Sequence, residues 1–145
     1  MSSLTAIHNI GSYVVPITSV FPESAAAGTI NGASIDRALH NMPQSCVLHQ
    51  VVGAESGAPT TASVQTTLEH SPDNSTWSNF QIGSTVQQTA ALTAANSENT
   101  ASIDLAGAYR FIRAQTVVAF TGGTSPAIQV AADIILGGER ELAAV

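Results

Sequence analysis

Lysine is absent from this chain of 145 residues, whose only cations besides histidine are Arg37, Arg110, Arg113 and Arg140. Charged residues make up 10% of the sequence, against ~25% in an ordinary soluble domain. Binding a phosphate backbone needs clustered cations that release counterions. Four scattered arginines under a net charge of −6 would be repelled instead, so nucleic acid is excluded as a partner. No apolar run approaches the ~20 residues of a membrane helix, and no membrane partner is expected. The opening MSSLTAIHNIGSYVV has no positive region ahead of its apolar residues, so no secretory signal is expected and synthesis in a cytoplasm follows. With one cysteine, Cys46, an intrachain disulfide is impossible. Lying inside the apolar run 45–52, Cys46 reads as a small buried hydrophobe.

What is present is β-branched residues in alternation, with Ala, Ser, Thr and Gly between them. The length fits one domain. Short neutral side chains lose little rotamer entropy on ordering, which suits a surface packed against neighbours. Residues 12–20, SYVVPITSV, read as a strand, but Pro16 cannot donate to a ladder, so the segment is an edge strand or an extended arm that Phe21-Pro22 breaks. Asn31-Gly32 between two small segments fits a two-residue type I′ hairpin turn. The run 45–52, SCVLHQVV, reads as a central strand covered on both sides. Ala62, Val64, Thr66, Leu68 and His70 share one face of the next strand, and SPDNS after it is turn chemistry. TWSNFQI (76–82) reads as the returning strand, and 83–100 as a long loop with a short strand near Val86. In 109–120, YRFIRAQTVVAF, Ile112, Ala114, Thr116, Val118 and Phe120 form one face and Tyr109, Phe111, Arg113, Gln115 and Val117 the other. Ile128, Val130, Ala132, Ile134 and Leu136 form the core side of the final strand. The pattern predicts an all-β chain, an antiparallel β-sandwich or jelly roll of seven or eight strands. Residues 1–24 are expected as an N-terminal arm or edge strand, 25–138 as the sandwich and 139–145 as a short tail.

No catalytic constellation emerges. Hydrolysis needs a nucleophile near a base, or paired carboxylates, and the carboxylates here are dispersed. His8, His40, His49 and His70 stand in four contexts. His49 and His70, on strands expected to adjoin, are the one conceivable metal pair, yet no HExxH, CxxC or HxH spacing accompanies them. Asp104 and Asp133 read as outward charges that block edge association. There is no GxGxxG and no lysine for a phosphate. The sequence therefore predicts no enzyme, no cofactor and no metal. Trp77 is expected in the core, with stacking on a sugar as the alternative.

Four segments, Ser34-Ile35-Asp36, SCVLHQVVGA, ASVQTTLEHSPDNSTWSNF and IDLAGAYRFIRAQTVVAFTGG, together resemble the jelly-roll head decoration (cement) proteins of tailed bacteriophages. The resemblance spans 34–137 and rests on the strand–turn–Trp strand hairpin at 69–80 and the YRFIR strand at 109–113; residues 1–33 lie outside it. It implies a homotrimer on the outer surface of the virion, bound to the major capsid protein at three-fold and quasi-three-fold positions and stiffening the head. Many modest contacts on one rigid lattice add through avidity. Tyr109, Phe111 and Arg113 are the expected oligomer or lattice contact, because aromatics and Arg are enriched in interface cores. Two other readings are a virion carbohydrate- or host-surface-binding module using Trp77 or Tyr109, and a tail or neck component.

Overall fold

The computed structural model describes residues 9–138, so His8, Arg140 and the expected tail 139–145 lie outside the described residues. Two antiparallel sheets face each other across one core. The first has the order β1 (Val14–Ala25), β11 (Ala127–Gly137), β4 (Ser45–Ser56), β9 (Ser97–Asp104). The second has the order β2 (Gly28–Asn31), β10 (Phe111–Thr121), β5 (Thr61–Ser71), β6 (Ser78–Asn79). The two-residue β3 (Ile35–Asp36) continues the line of β2 along β10, and β7 (Gln81–Ile82) with β8 (Thr85–Val86) forms a small side hairpin. Counting β2 and β3 as one interrupted strand, the path alternates between sheets except at the β5–β6 hairpin. That is the doubly wound Greek-key order of a jelly roll.

The period-two faces are realised. Val64, Thr66 and Leu68 of β5, Ile112, Ala114, Thr116 and Val118 of β10, and Ile128, Val130, Ala132, Ile134 and Leu136 of β11 are all buried. Cys46 is buried with them, and burial pushes its thiol up to about 12. Residues 14–24 form an edge strand, not an arm: β1 pairs with β11 alone and supplies Val20 and Ala25 to the core. Phe21-Pro22 does not break it. Pro16 stays in register opposite Ile135, as an edge strand allows, and Pro22 falls within the second of two register shifts, between Thr18 and Val20 and between Val20 and Glu23.

Four expectations are corrected by contacts from distant strands. Asn31-Gly32 makes no hairpin turn. From Asn31 opposite Gln115 to Ile35 opposite Ile112, the 31–35 segment takes one more step than β10 does, as in a bulge. Gly32 is required there by closeness, since a Cβ would collide with Ser19 Oγ and stand 2.7 Å from Ala114 O. The run 45–52 is covered on one side only: Cys46, Leu48, Gln50 and Val52 face inward, and Val47, His49 and Val51 are half-buried on the outer face. Residues 76–82 do not make one strand, because Phe80 turns into the core between β6 and β7. Asp133 guards no edge; it sits on an interior strand opposite His49. Asp104 does stand on an edge, exposed at the end of β9, and it also closes a local turn by accepting from Ala106 N at 2.9 Å.

The sheets are also joined by a buried polar network. Gln50 of β4 reaches across the core, accepting from Thr66 Oγ1 at 2.8 Å and donating to Asn99 Oδ1 and Ala90 O at 3.0 Å each and to Val64 O at 3.2 Å. Thr66 in turn meets Thr116 at 2.8 Å. A fully satisfied network at this depth fixes how one sheet sits on the other.

Candidate functional site

The residues singled out at the start of β10 lie at one end of the sandwich, where β1 and β10 begin and β5, β9 and β11 end. A buried cation organises this end. Asp36 caps the 3-10 turn Arg37–His40 by accepting from Ala38 N at 3.0 Å, which directs the Arg37 side chain inward. Its guanidinium donates to four carbonyls: Pro43 at 2.6 Å, Ala108 at 2.8 Å, Tyr109 at 3.0 Å and Leu105 at 3.2 Å. Arg37 is 1% exposed, has no carboxylate partner among the described residues, and leaves its Nε without a hydrogen-bond partner. Desolvation lowers its pKa, yet an Arg stays protonated in a protein. Its charge is therefore held by carbonyl dipoles alone, and the 37–44 and 105–110 links are locked to each other.

Tyr109, Phe111 and Arg113 are near one another but do not share a face. The chain bends at Arg110 before β10 begins, so the alternation does not extend back to Tyr109. The Tyr109 ring stacks on His70, with centroids 4.4 Å apart and planes at 24°. Its backbone N–H donates to His70 Nδ1 at 3.1 Å, and the imidazole also meets the tilted ring of Phe80, with centroids 5.0 Å apart. Desolvation, with a smaller contribution from the Arg37 charge, holds the His70 pKa below the ordinary imidazole value. Folding thus favours neutral His70: its contribution is complete above the unfolded pKa of ~6.5 and is lost as pH falls from there toward the folded value.

Phe111 is half-buried beneath the Arg110 guanidinium, 5.0 Å from its centroid. Arg110 binds Asp36 through both oxygens, at 2.8 and 2.7 Å, which lowers the Asp36 pKa. Arg113 is already engaged: its Nε bonds Glu69 at 2.7 Å, and its guanidinium lies 4.3 Å from the centroid of Trp77. Trp77 is therefore half-buried as the cover of an ion pair and not a core residue. In the turn before it, Asp73 accepts from the Thr76 and Ser75 backbone N–H groups and from Ser71, which brings its pKa down to about 2.

His49 and His70 do not meet, for they stand in opposite sheets. His49 bridges Glu98 at 3.1 Å and Asp133 at 3.7 Å on the outer face of the first sheet. Among the described residues, no group of three or more His, Cys, Asp or Glu is placed to hold a metal, and no helix is long and apolar enough to cross a membrane.

The sequence reading missed Arg37 and Leu39. Arg37 stood out only as one of four arginines, and no local pattern announces a buried one. Leu39, in a four-residue turn without periodicity, is 78% exposed. Ile10, Tyr13 and Tyr109 at the same end are 65%, 51% and 49% exposed. The arrangement offers an apolar rim with Arg110 and Arg113 paired to carboxylates and Arg37 buried, a surface suited to contact.

No family model matches the sequence, and no curated protein matches it. Among solved structures, the chain is similar to the SPBc2 prophage-derived protein YomS at 16% identity and a TM-score of 0.39, over 83% of this chain and 95% of that one. It is also similar to Desmodium yellow mottle tymovirus at 12% identity and a TM-score of 0.35, over 91% and 84% of the two chains.

Proposed function

We propose that this protein is a virion structural component: a homotrimeric decoration (cement) protein that binds the major capsid protein on the outer surface of a bacteriophage head and stiffens it, without catalysis. The observation that carries the reading is the locked end around Arg37. Exposed apolar side chains on loops fixed by a buried guanidinium form a surface that loses little entropy on docking. The jelly-roll topology is compatible with it, although fold alone assigns no function. The low-charge surface suits dense packing on a lattice. Within the contact, Tyr109 and Phe111 act directly, while Arg113 acts from behind Trp77.

The test is addition of the purified protein to expanded heads lacking it. Co-sedimentation with the heads and three-fold density in cryo-microscopy are expected, with Leu39→Asp weakening both about tenfold or more, the effect of losing one interface anchor. Absence of binding to any head would overturn the proposal. A second reading, glycan binding, is favoured by one observation: Tyr109 is braced by His70 on one side while half its surface stays open. Glycan binding that Tyr109→Ala abolishes, in a protein indifferent to heads, would establish it. Recovery of the protein only from tails or necks would make it a component of those parts.

A further inference from the structure

Edge strands expose unpaired backbone groups, and proteins usually blunt them with proline, bulges, lysine or shortness. Three edges here are blunted. β1 carries Pro16, Pro22 and two register shifts; β2 has four residues and β6 two. β9 is different. It runs for eight residues, SENTASID, in unbroken register with β4 from Ser97 opposite Val52 to Asp104 opposite Ser45. It contains no proline, glycine or lysine, and its outward side chains Glu98, Thr100, Ser102 and Asp104 are exposed, with the two carboxylates toward the ends of the strand and none at its middle. No backbone hydrogen bond from another segment covers its free side among the described residues.

We propose that β9 pairs antiparallel with β9 of a second copy about a two-fold axis through Thr100, joining two four-stranded sheets into one. The occupant follows from the sequence of the strand. In an antiparallel pair, directly opposite residues share a face, and like charges placed opposite each other are destabilising. A two-fold at Thr100 sets Glu98 against Ser102, Asn99 against Ala101 and Ser97 against Ile103, so each carboxylate meets a neutral residue. The register one step on, centred at Ala101, would set Glu98 against Asp104. Only small or neutral side chains surround the axis, and the contact is isologous, so it closes on itself instead of extending into a fibre. The inference does not rest on the capsid reading. If that reading holds, the contact would join neighbouring trimers across local two-folds.

A cysteine at the axis reads out the geometry, because the native thiol of Cys46 is buried. Under mild oxidation, Thr100→Cys should give a covalent two-chain product on a non-reducing gel. Thr18→Cys on the opposite edge should not, and Ser102→Cys, which faces Glu98 and not its own copy, should give far less. In sedimentation, the unmodified protein should have at least twice the mass of Thr100→Lys, which sets two ammonium groups face to face at the axis. Equal masses for these two proteins, or equal cross-linking at positions 18 and 100, would overturn the proposal. Cross-linking at 102 as efficient as at 100 would overturn the register. Loss of head binding with the cross-link intact would count against the capsid reading alone.

Discussion

Arg37 bears more structural responsibility than any other charged side chain described. One guanidinium satisfies carbonyls from three places in the chain: Pro43, Leu105 and the Ala108-Tyr109 pair. Its removal would strand buried acceptors, each costing roughly 1–3 kcal/mol. Arg37→Met should therefore lower the unfolding free energy by about 3 kcal/mol in urea titration. Arg37→Lys should recover only part of that, because an ammonium cannot reproduce the planar fork. Nothing in Asp36-Arg37-Ala38 signals this role, since a buried arginine is defined by carbonyls far along the chain and charged residues are almost never fully buried. Tyr109 makes a related point. Its neighbours Phe111 and Arg113 obey the alternation, but the bend at Arg110 removes Tyr109 from it and delivers the ring to His70.

At the level of elements, strands whose apolar residues alternate were legible, and β4, whose inward face includes an amide, was not. Alternation located the buried faces of β5, β10 and β11, because burial and the pleat share the same period. The run 45–52 misled because Val47 and Val51 look like core residues beside Leu48, whereas Gln50 is the one that turns inward. An amide in an apolar run belongs inside only when partners wait there, and those partners, Thr66 and Asn99, lie on other strands. Thr66→Val should thus be far from neutral despite its matched shape. It leaves Gln50 Oε1 and Thr116 each short of a partner, at a cost of about 1–3 kcal/mol. In a double-mutant cycle with Gln50→Leu, the two losses should fall short of additive by about 1 kcal/mol, read from denaturant midpoints. Asn31-Gly32 failed as a turn for the same kind of reason: local turn chemistry yielded to Ser19, whose hydroxyl fills the space a Cβ would need.

For the molecule as a whole, the sandwich class was readable and the edges were not, since which strand ends a sheet depends on pairings far apart in sequence. Such non-local pairing makes folding slow, in the millisecond-to-second range typical of β-sandwiches. It also makes opening cooperative, so Cys46, buried on β4 between β11 and β9, should react with a thiol reagent only when the whole sheet opens. The labelling rate under native conditions should rise with urea with the slope of global unfolding, and a much shallower slope would mark local fraying of β9 instead. The register of β1 against β11 reaches further. Val14 stands directly opposite Gly137, a separation of ~5 Å between neighbouring strands, while Gly83 lies in open space at the tip of the side hairpin. A permuted gene that starts at Gly83 and joins Gly137 to Val14 through a few glycines would trace the same sandwich by another route, and would carry a fused cargo at the side hairpin.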